Sequence, residues 1–199
     1  QPDACFIEDR LVMGWGRGLL THSRVPERRG ESPSVAVAAR AFVELTVMRP
    51  SGGLDGGDVI RLGDTLLVGL SERTDEAGVR ALERWSAGLG VSVVPIEMAS
   101  GLHLKCEATP LDQDTLLCVD GWPYRSALPG HVECVTVPKH EAYAANAIAT
   151  EAGVLVAAGY PETAAAVAAT GRRVVEVDVS AFRRADGSLT CLSVRFDKD

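Results

Sequence analysis

Apolar residues in this chain fall into short runs of two kinds. The first kind comes in pairs joined by a tight polar or glycine-containing link. Asp58-Val59-Ile60-Arg61-Leu62 and residues 65–70 flank Gly63-Asp64, which predicts a β-hairpin. The runs on either side of Asp112-Gln113-Asp114 and of Glu151-Ala152-Gly153 read the same way. The second kind follows a helical period. Val79, Leu82 and Trp85 predict an amphipathic helix over residues 74–88, with Gly88 and Gly90 near its end. Helices are also predicted over residues 34–45 and 161–169, the latter with Pro161 at a tolerated first-turn position. Single strands are predicted at 5–7, 11–13, 91–96, 132–137 and 173–179. Leu102-His103-Leu104, Ala145-Asn146-Ala147-Ile148 and residues 189–194 each open a further strand. A polar, arginine-rich loop spans residues 23–31.

The order strand, hairpin, strand, helix, strand therefore recurs. One polar residue opens each unit: Asp9, Asp55, His103, Asn146 and Cys191, at near-constant intervals of about 45 residues. Units packed around a central axis would bring these five positions together. Two acids, an imidazole, an amide and a thiol would then meet at one centre. The expected class is α/β, with residues 1–199 forming one domain. Five units of about 45 residues need roughly 225 residues. The fifth unit holds only one predicted strand, so its helix and remaining strands are expected from a segment preceding Gln1.

Composition narrows the function. The chain has 199 residues and is 46% hydrophobic, ample for a proper core and unlike a disordered segment. Twenty basic against 27 acidic side chains leave a net charge of −7. That excludes a broadly basic nucleic-acid-binding surface and suits a cationic small molecule. The longest low-charge stretch, residues 154–171, is broken by Gly159, Pro161 and Glu162, so no membrane span is expected. Five cysteines occur without a C-x-x-C pair, which gives no support to a disulfide framework or a zinc site. A reducing cytoplasm fits this usage, and the acidic amino end carries no sign of a signal peptide.

Cysteine, histidine and aspartate are the three roles of a thiol enzyme: nucleophile, acid/base and orienter. Gly53-Leu54-Asp55-Gly56-Gly57-Asp58-Val59 places two acids among glycines that permit close backbone approach, with Asp55 in the site and Asp58 supporting the turn. His103, between two leucines, is the acid/base candidate, whereas His22, His131 and His140 read as surface residues. Cys191 follows the turn at Asp186-Gly187, so its sulfur can face a cleft. Glu8 and Asp9 end an apolar strand and suit a guanidinium. Both can serve only if the strand ends or kinks there, because adjacent strand side chains point to opposite faces. Arg28 and Arg73 follow Asp9 and Asp55 at similar offsets, so both can point toward one anion such as a carboxylate.

Six segments together resemble the dimethylarginine dimethylaminohydrolase family of the guanidine-modifying superfamily. They are residues 2–9, Arg28-Arg29-Gly30-Glu31, Leu54-Asp55-Gly56-Gly57-Asp58, Gly69-Leu70-Ser71-Glu72-Arg73-Thr74, Leu102-His103-Leu104-Lys105 and Asp186-Gly187-Ser188-Leu189-Thr190-Cys191. The resemblance spans nearly the whole chain and implies a five-bladed α/β propeller, or pentein. It implies hydrolysis of Nω-methylated arginines to citrulline and methylamines through a covalent thiouronium. Cys191 would be the nucleophile, His103 the general acid/base and Asp55 its orienter. Glu8 and Asp9 would hold the guanidinium, Arg28 and Arg73 the α-carboxylate, and Asp3 the α-amino group with the backbone carbonyl of Ala185. No metal or organic cofactor is implied, and the partner is a small-molecule substrate. The oligomeric state stays open, a homodimer among the options. The family also has an amino-terminal segment of about one module, carrying a lid residue, which corresponds to the segment expected before Gln1. Two alternatives stand beside this reading: an arginine-deiminase-like hydrolase, and an arginine-derivative binding module that has lost catalysis.

Overall fold

The computed structural model describes residues 1–196. It is a mixed α/β fold of four three-stranded sheets. The first contains β1 (Leu11–Gly14), β2 (Arg17–Leu20) and β3 (Glu44–Val47). The second contains β4 (Val59–Leu62), β5 (Thr65–Leu70) and β6 (Ser92–Glu97). The third contains β7 (Ala108–Pro110), β8 (Thr115–Val119) and β9 (Glu133–Val137). The fourth contains β10 (Ile148–Thr150), β11 (Gly153–Ala157) and β12 (Val174–Val177). In each sheet the first two strands form an antiparallel hairpin and the third joins the second in parallel.

A parallel return needs a crossover. Helix α1 (Ser32–Ala39) supplies it in the first sheet, α2 (Glu76–Ser86) in the second and α3 (Pro161–Ala168) in the fourth. The third sheet uses an irregular stretch with a short 3-10 turn, Arg125–Ala127. Helix α2 is the best specified. Asp75 caps it by accepting the Gly78 N–H at 3.0 Å, and Val79, Leu82 and Trp85 turn to one buried side. The core is layered between successive sheets. Val12, Leu19, Val68 and Trp85 fill the first layer, Ile60, Leu67, Leu116 and Trp122 the second, and Leu117, Val137, Val154 and Val156 the third.

Three predicted strands are not strands. Residues 5–7 lie in and between two 3-10 turns, Pro2–Cys5 and Ile7–Arg10. His103 caps the 3-10 turn Leu104–Cys106, and Cys191 sits in the 3-10 turn Thr190–Leu192. A three-residue apolar run fits a buried turn as well as a strand, and here the backbone must bend to carry polar side chains inward. The first predicted helix also runs too long at residue 45. Leu45 instead pairs with Gly18 in β3, where an extended backbone completes the sheet. Among the described residues no helix is long and apolar enough to cross a membrane. A short helix α4 (Ser180–Arg183) precedes the last turn.

Candidate active site

Each hairpin is preceded by a tight turn, and these turns meet. Ile7–Arg10 packs against both Thr190–Leu192 and Gly56–Asp58, and Gly56–Asp58 packs against Leu104–Cys106. Asn146 closes the circle. Its Nδ2 donates to the Lys105 carbonyl at 3.1 Å and to Thr190 Oγ1 at 2.9 Å, while its Oδ1 accepts the Thr190 N–H at 2.8 Å. The five evenly spaced polar positions thus all lie on or beside these turns.

A 3-10 turn sends consecutive side chains in three directions. Glu8, Asp9 and Arg10 are all buried, and each faces a different partner. Glu8 accepts from Lys105 Nζ and from Thr190 Oγ1, both at 2.7 Å. Asp9 accepts from Arg28 Nη1 at 2.6 Å and lies 3.7 Å from His103 Nε2. Arg10, fully buried, donates through Nη2 to Asp55 Oδ1. The conflict expected for two adjacent strand acids therefore does not arise.

Asp55 precedes Gly56 and Gly57, and both glycines are required by close approach. A Cβ on Gly56 would lie 2.1 Å from the Glu8 carbonyl oxygen, and one on Gly57 2.8 Å from the His103 ring. Asp55 Oδ2 lies 3.4 Å from His103 Nε2. Asp58 plays the supporting part expected of it. It accepts from Ser71 Oγ at 2.7 Å, Thr74 Oγ1 at 2.6 Å and the Leu104 N–H at 3.0 Å, so it holds the backbone next to His103.

The electrostatics follow from this packing. Burial is the largest influence on His103 and pulls its pKa down. The Asp55 hydrogen bond and the charges of Asp9, Asp58 and Asp55 together outweigh it, and the net direction is up. For Asp55, burial pushes up, but the His103 hydrogen bond and the charge and hydrogen bond of Arg10 bring it below the ordinary carboxylate range. Cys191 is half-buried. Burial, then the negative charge of Glu8, push its thiol up to about 12. The resting sulfur is therefore a thiol at neutral pH.

The expected substrate-binding residues divide. Arg73 keeps a buried Nη1 with no hydrogen-bond partner among the described residues. Arg28 is engaged throughout: Nε and Nη2 donate to Glu31, Nη1 to Asp9, and Nη2 also to the carbonyls of Asp3 and Phe6. Asp3 is exposed on the first turn, and Ala185 is exposed in the turn after α4. That turn is tied to the molecule by Tyr143 Oη donating to the Gly187 carbonyl at 2.8 Å. His131 and His140 lie at the surface as expected, whereas His22 is half-buried.

Arg10, Glu31, Lys105 and Thr190 belong to the same cluster; the last three lie inside the segments that carry the family resemblance, but the sequence assigns none of the four a role. The only signal for them is adjacency in sequence to residues with an assigned role. Asp9, Asp55 and His103 bring donor atoms within 4.8 Å of one another. Arg28 and Arg10 already occupy those carboxylates, so we assign them to ion pairing and not to a metal. A cleft of about 430 Å³ reaches the ring at Glu8, Gly56, Lys105 and Thr190. Asp9, His103 and Cys191 do not line it.

Comparison with known proteins places this geometry. The chain is 34% identical to an N(G),N(G)-dimethylarginine dimethylaminohydrolase of Streptomyces coelicolor, covering 98% of this chain and 74% of that one. It is 31% identical to the enzyme of that name from Pseudomonas aeruginosa, covering 98% and 77%. The chain belongs to the dimethylarginine dimethylaminohydrolase family. A family model for arginine deiminase also matches residues 36–122. A crystal structure of the P. aeruginosa enzyme, a cysteine-to-serine variant complexed with citrulline, superposes with a TM-score of 0.90 at 30% identity. It covers 98% of this chain and 77% of its own. The N-terminal domain of ArgZ, a cyanobacterial arginine dihydrolase bound to product, shares the fold with a TM-score of 0.85 at 21% identity. The match covers 98% of this chain and 75% of that one. Membership makes this dimethylarginine dimethylaminohydrolase homologue a hydrolase of the guanidine-modifying superfamily.

Proposed function

We propose that the chain hydrolyses Nω-methylated arginines to citrulline and mono- or dimethylamine, with Cys191 forming a covalent thiouronium. The observation that carries this reading is the junction of the Cys191 turn with the acid–imidazole cluster. Thr190 Oγ1 meets Glu8 at 2.7 Å, and His103 Nε2 stands between Asp55 at 3.4 Å and Asp9 at 3.7 Å.

A guanidinium carbon is a poor electrophile, so a thiolate is the suitable attacking group. Glu8 and Asp9 give the substrate cation a negative face. That cation offsets the same charges that hold Cys191 protonated, so the thiol releases its proton to solvent as substrate settles. Cys191 Sγ bonds to the guanidinium carbon. The bond to the methylated nitrogen then breaks, and His103 protonates the departing amine. His103 next takes a proton from water, which attacks the thiouronium carbon. The carbon–sulfur bond breaks, and citrulline leaves. Asp55 orients His103 throughout. Arg73, with a buried N–H unpaired among the described residues, takes the α-carboxylate, and Arg28 stands behind Asp9. Asp3 and the Ala185 carbonyl flank the α-amino group.

The recurring unit, seen in four three-stranded sheets among the described residues, supports a five-fold arrangement. The test is citrulline release from asymmetric dimethylarginine, run beside unmethylated arginine and a Cys191→Ser variant. Turnover of the methylated substrate, absent in the variant, is expected. Arginine as the better substrate would favour the deiminase-like reading, which the arginine deiminase family match recommends as the second choice. Binding without turnover in folded protein would leave a binding module.

A further inference from the structure

Arg10 is fully buried, yet its Nε and Nη1 have no hydrogen-bond partner among the described residues. Its one hydrogen bond among them runs from Nη2 to Asp55. Burying a guanidinium for a single bond is a poor bargain for stability alone. The wider arrangement gives it a reason. Six buried groups alternate in sign around a closed circuit: Glu31, Arg28, Asp9, His103, Asp55 and Arg10. Arg28 meets Glu31 at 3.0 Å and Asp9 at 2.6 Å. His103 Nε2 lies 3.7 Å from Asp9 and 3.4 Å from Asp55. Arg10 holds Asp55 on one side, and its Nε lies 3.7 Å from Glu31 on the other. Three carboxylates and two guanidinia leave one negative charge unbalanced. An imidazolium at His103 makes the circuit neutral.

We propose that Arg10 is a positioning residue, anchored by Glu31, that fixes Asp55 so that its second oxygen serves His103. This rests on the hydrolase reading of the same site. With Oδ1 committed to Arg10, Asp55 offers only Oδ2 to the ring, in one orientation. Without Arg10 a buried carboxylate would lose its cation and would compete with His103 for the proton. The groups that face His103 are Asp9, Asp55 and Asp58, with Arg28 and Arg10 behind the first two. The upward direction at His103 and the downward direction at Asp55 agree with such a circuit.

The test compares Arg10→Met, Arg10→Lys and Glu31→Gln. Two readouts are used: kcat and KM for asymmetric dimethylarginine across pH, and titration of the His103 imidazole by NMR in the free protein. Arg10→Met is expected to lower kcat at least about tenfold with KM nearly unchanged. Removing a cation behind Asp55 should move the His103 titration and the pH–rate profile to higher pH. Removing an anion with Glu31→Gln should move both the other way. Arg10→Lys should restore the position of the profile, because it keeps the charge. Folded variants with an unmoved His103 titration and parental kcat would overturn the proposal. If Arg10→Met does not fold, the opposite-signed shift in Glu31→Gln and the unshifted Arg10→Lys still decide it. Absence of turnover in the parent protein would overturn the hydrolase reading alone, since the NMR titration does not depend on catalysis.

Discussion

Arg73 and Arg28 look alike in sequence and differ in what they have left to offer. Arg73 retains a buried N–H without a partner among the described residues, whereas Arg28 is saturated by Glu31, Asp9 and two carbonyls. A charge-assisted hydrogen bond is worth about 1.5–3 kcal/mol. Replacing Arg73 by Met should therefore raise KM for methylarginine by roughly 10- to 100-fold and leave folding stability nearly unchanged. Steady-state kinetics and a urea titration on the same protein check both halves. Arg28→Met should do the reverse and show first as lost stability, since it strips Asp9 and Glu31 of their common cation. Gly57 makes a second residue-scale case. Its missing side chain lets His103 and Asp9 approach, and a methyl group there would meet the imidazole at 2.8 Å. Gly57→Ala should cost about a hundredfold in kcat, because a displacement near 1 Å at a reacting group has that effect.

At the scale of elements, the 3-10 turns do what strands could not. Asn146 joins two of them through three hydrogen bonds and is almost fully buried. Asn146→Ala should destabilise the protein by about 2 kcal/mol, read as a lower urea midpoint. It should also lower turnover, since Thr190 loses the contacts that set the Cys191 turn. These elements explain which parts of the molecule can be read from sequence. The hairpin at Gly63-Asp64 and helix α2 are written in local chemistry, a two-residue turn and a helical apolar stripe. The spacing of Asp9, Asp55, His103, Asn146 and Cys191 is visible because each unit repeats the same length of chain. The turns themselves are not visible, because Leu102-His103-Leu104 has the pattern of a strand. Arg10, Glu31 and Lys105 are hidden for a different reason. An ion-pair partner is chosen in three dimensions, and Lys105 meets Glu8 from far along the chain.

At the scale of the molecule, stability should depend on pH in a stated direction. The thiols of half-buried Cys191 and Cys106 and of buried Cys118 are pushed from 9.0 to about 12, 11 and 11 respectively. Burial is the first cause in each. An acid whose folded pKa is raised contributes stability that is fully present below its unfolded value and is lost as pH rises toward the folded one. The urea midpoint should therefore fall as pH climbs from 9 toward 11, and less steeply in Cys191→Ser. His103 works in the same sense at lower pH. Its contribution is complete below 6.5 and is lost as pH rises through its higher folded value. Asp55 sets the opposite limit, with a contribution present above 3.8 and lost as pH falls through its depressed folded value.

The thiol comes from the last of the site's turns in chain order, and the stretch just before it, residues 180–186, is exposed throughout and contains Arg183 and Arg184. A protease that cuts after arginine would therefore reach the backbone between Cys191 and the acids and imidazole of the proposed site. The severed piece would still be held by Asn146 on Thr190 and by Tyr143 on Gly187. The machinery would become two fragments, one carrying the acids and the imidazole, the other the sulfur. Washing the small fragment away under mild denaturant would leave a protein able to grip a guanidinium but not to cleave it. Adding back a short synthetic peptide would restore the reaction, with the peptide itself ending each incomplete cycle as the S-amidinated, thiouronium-bearing species.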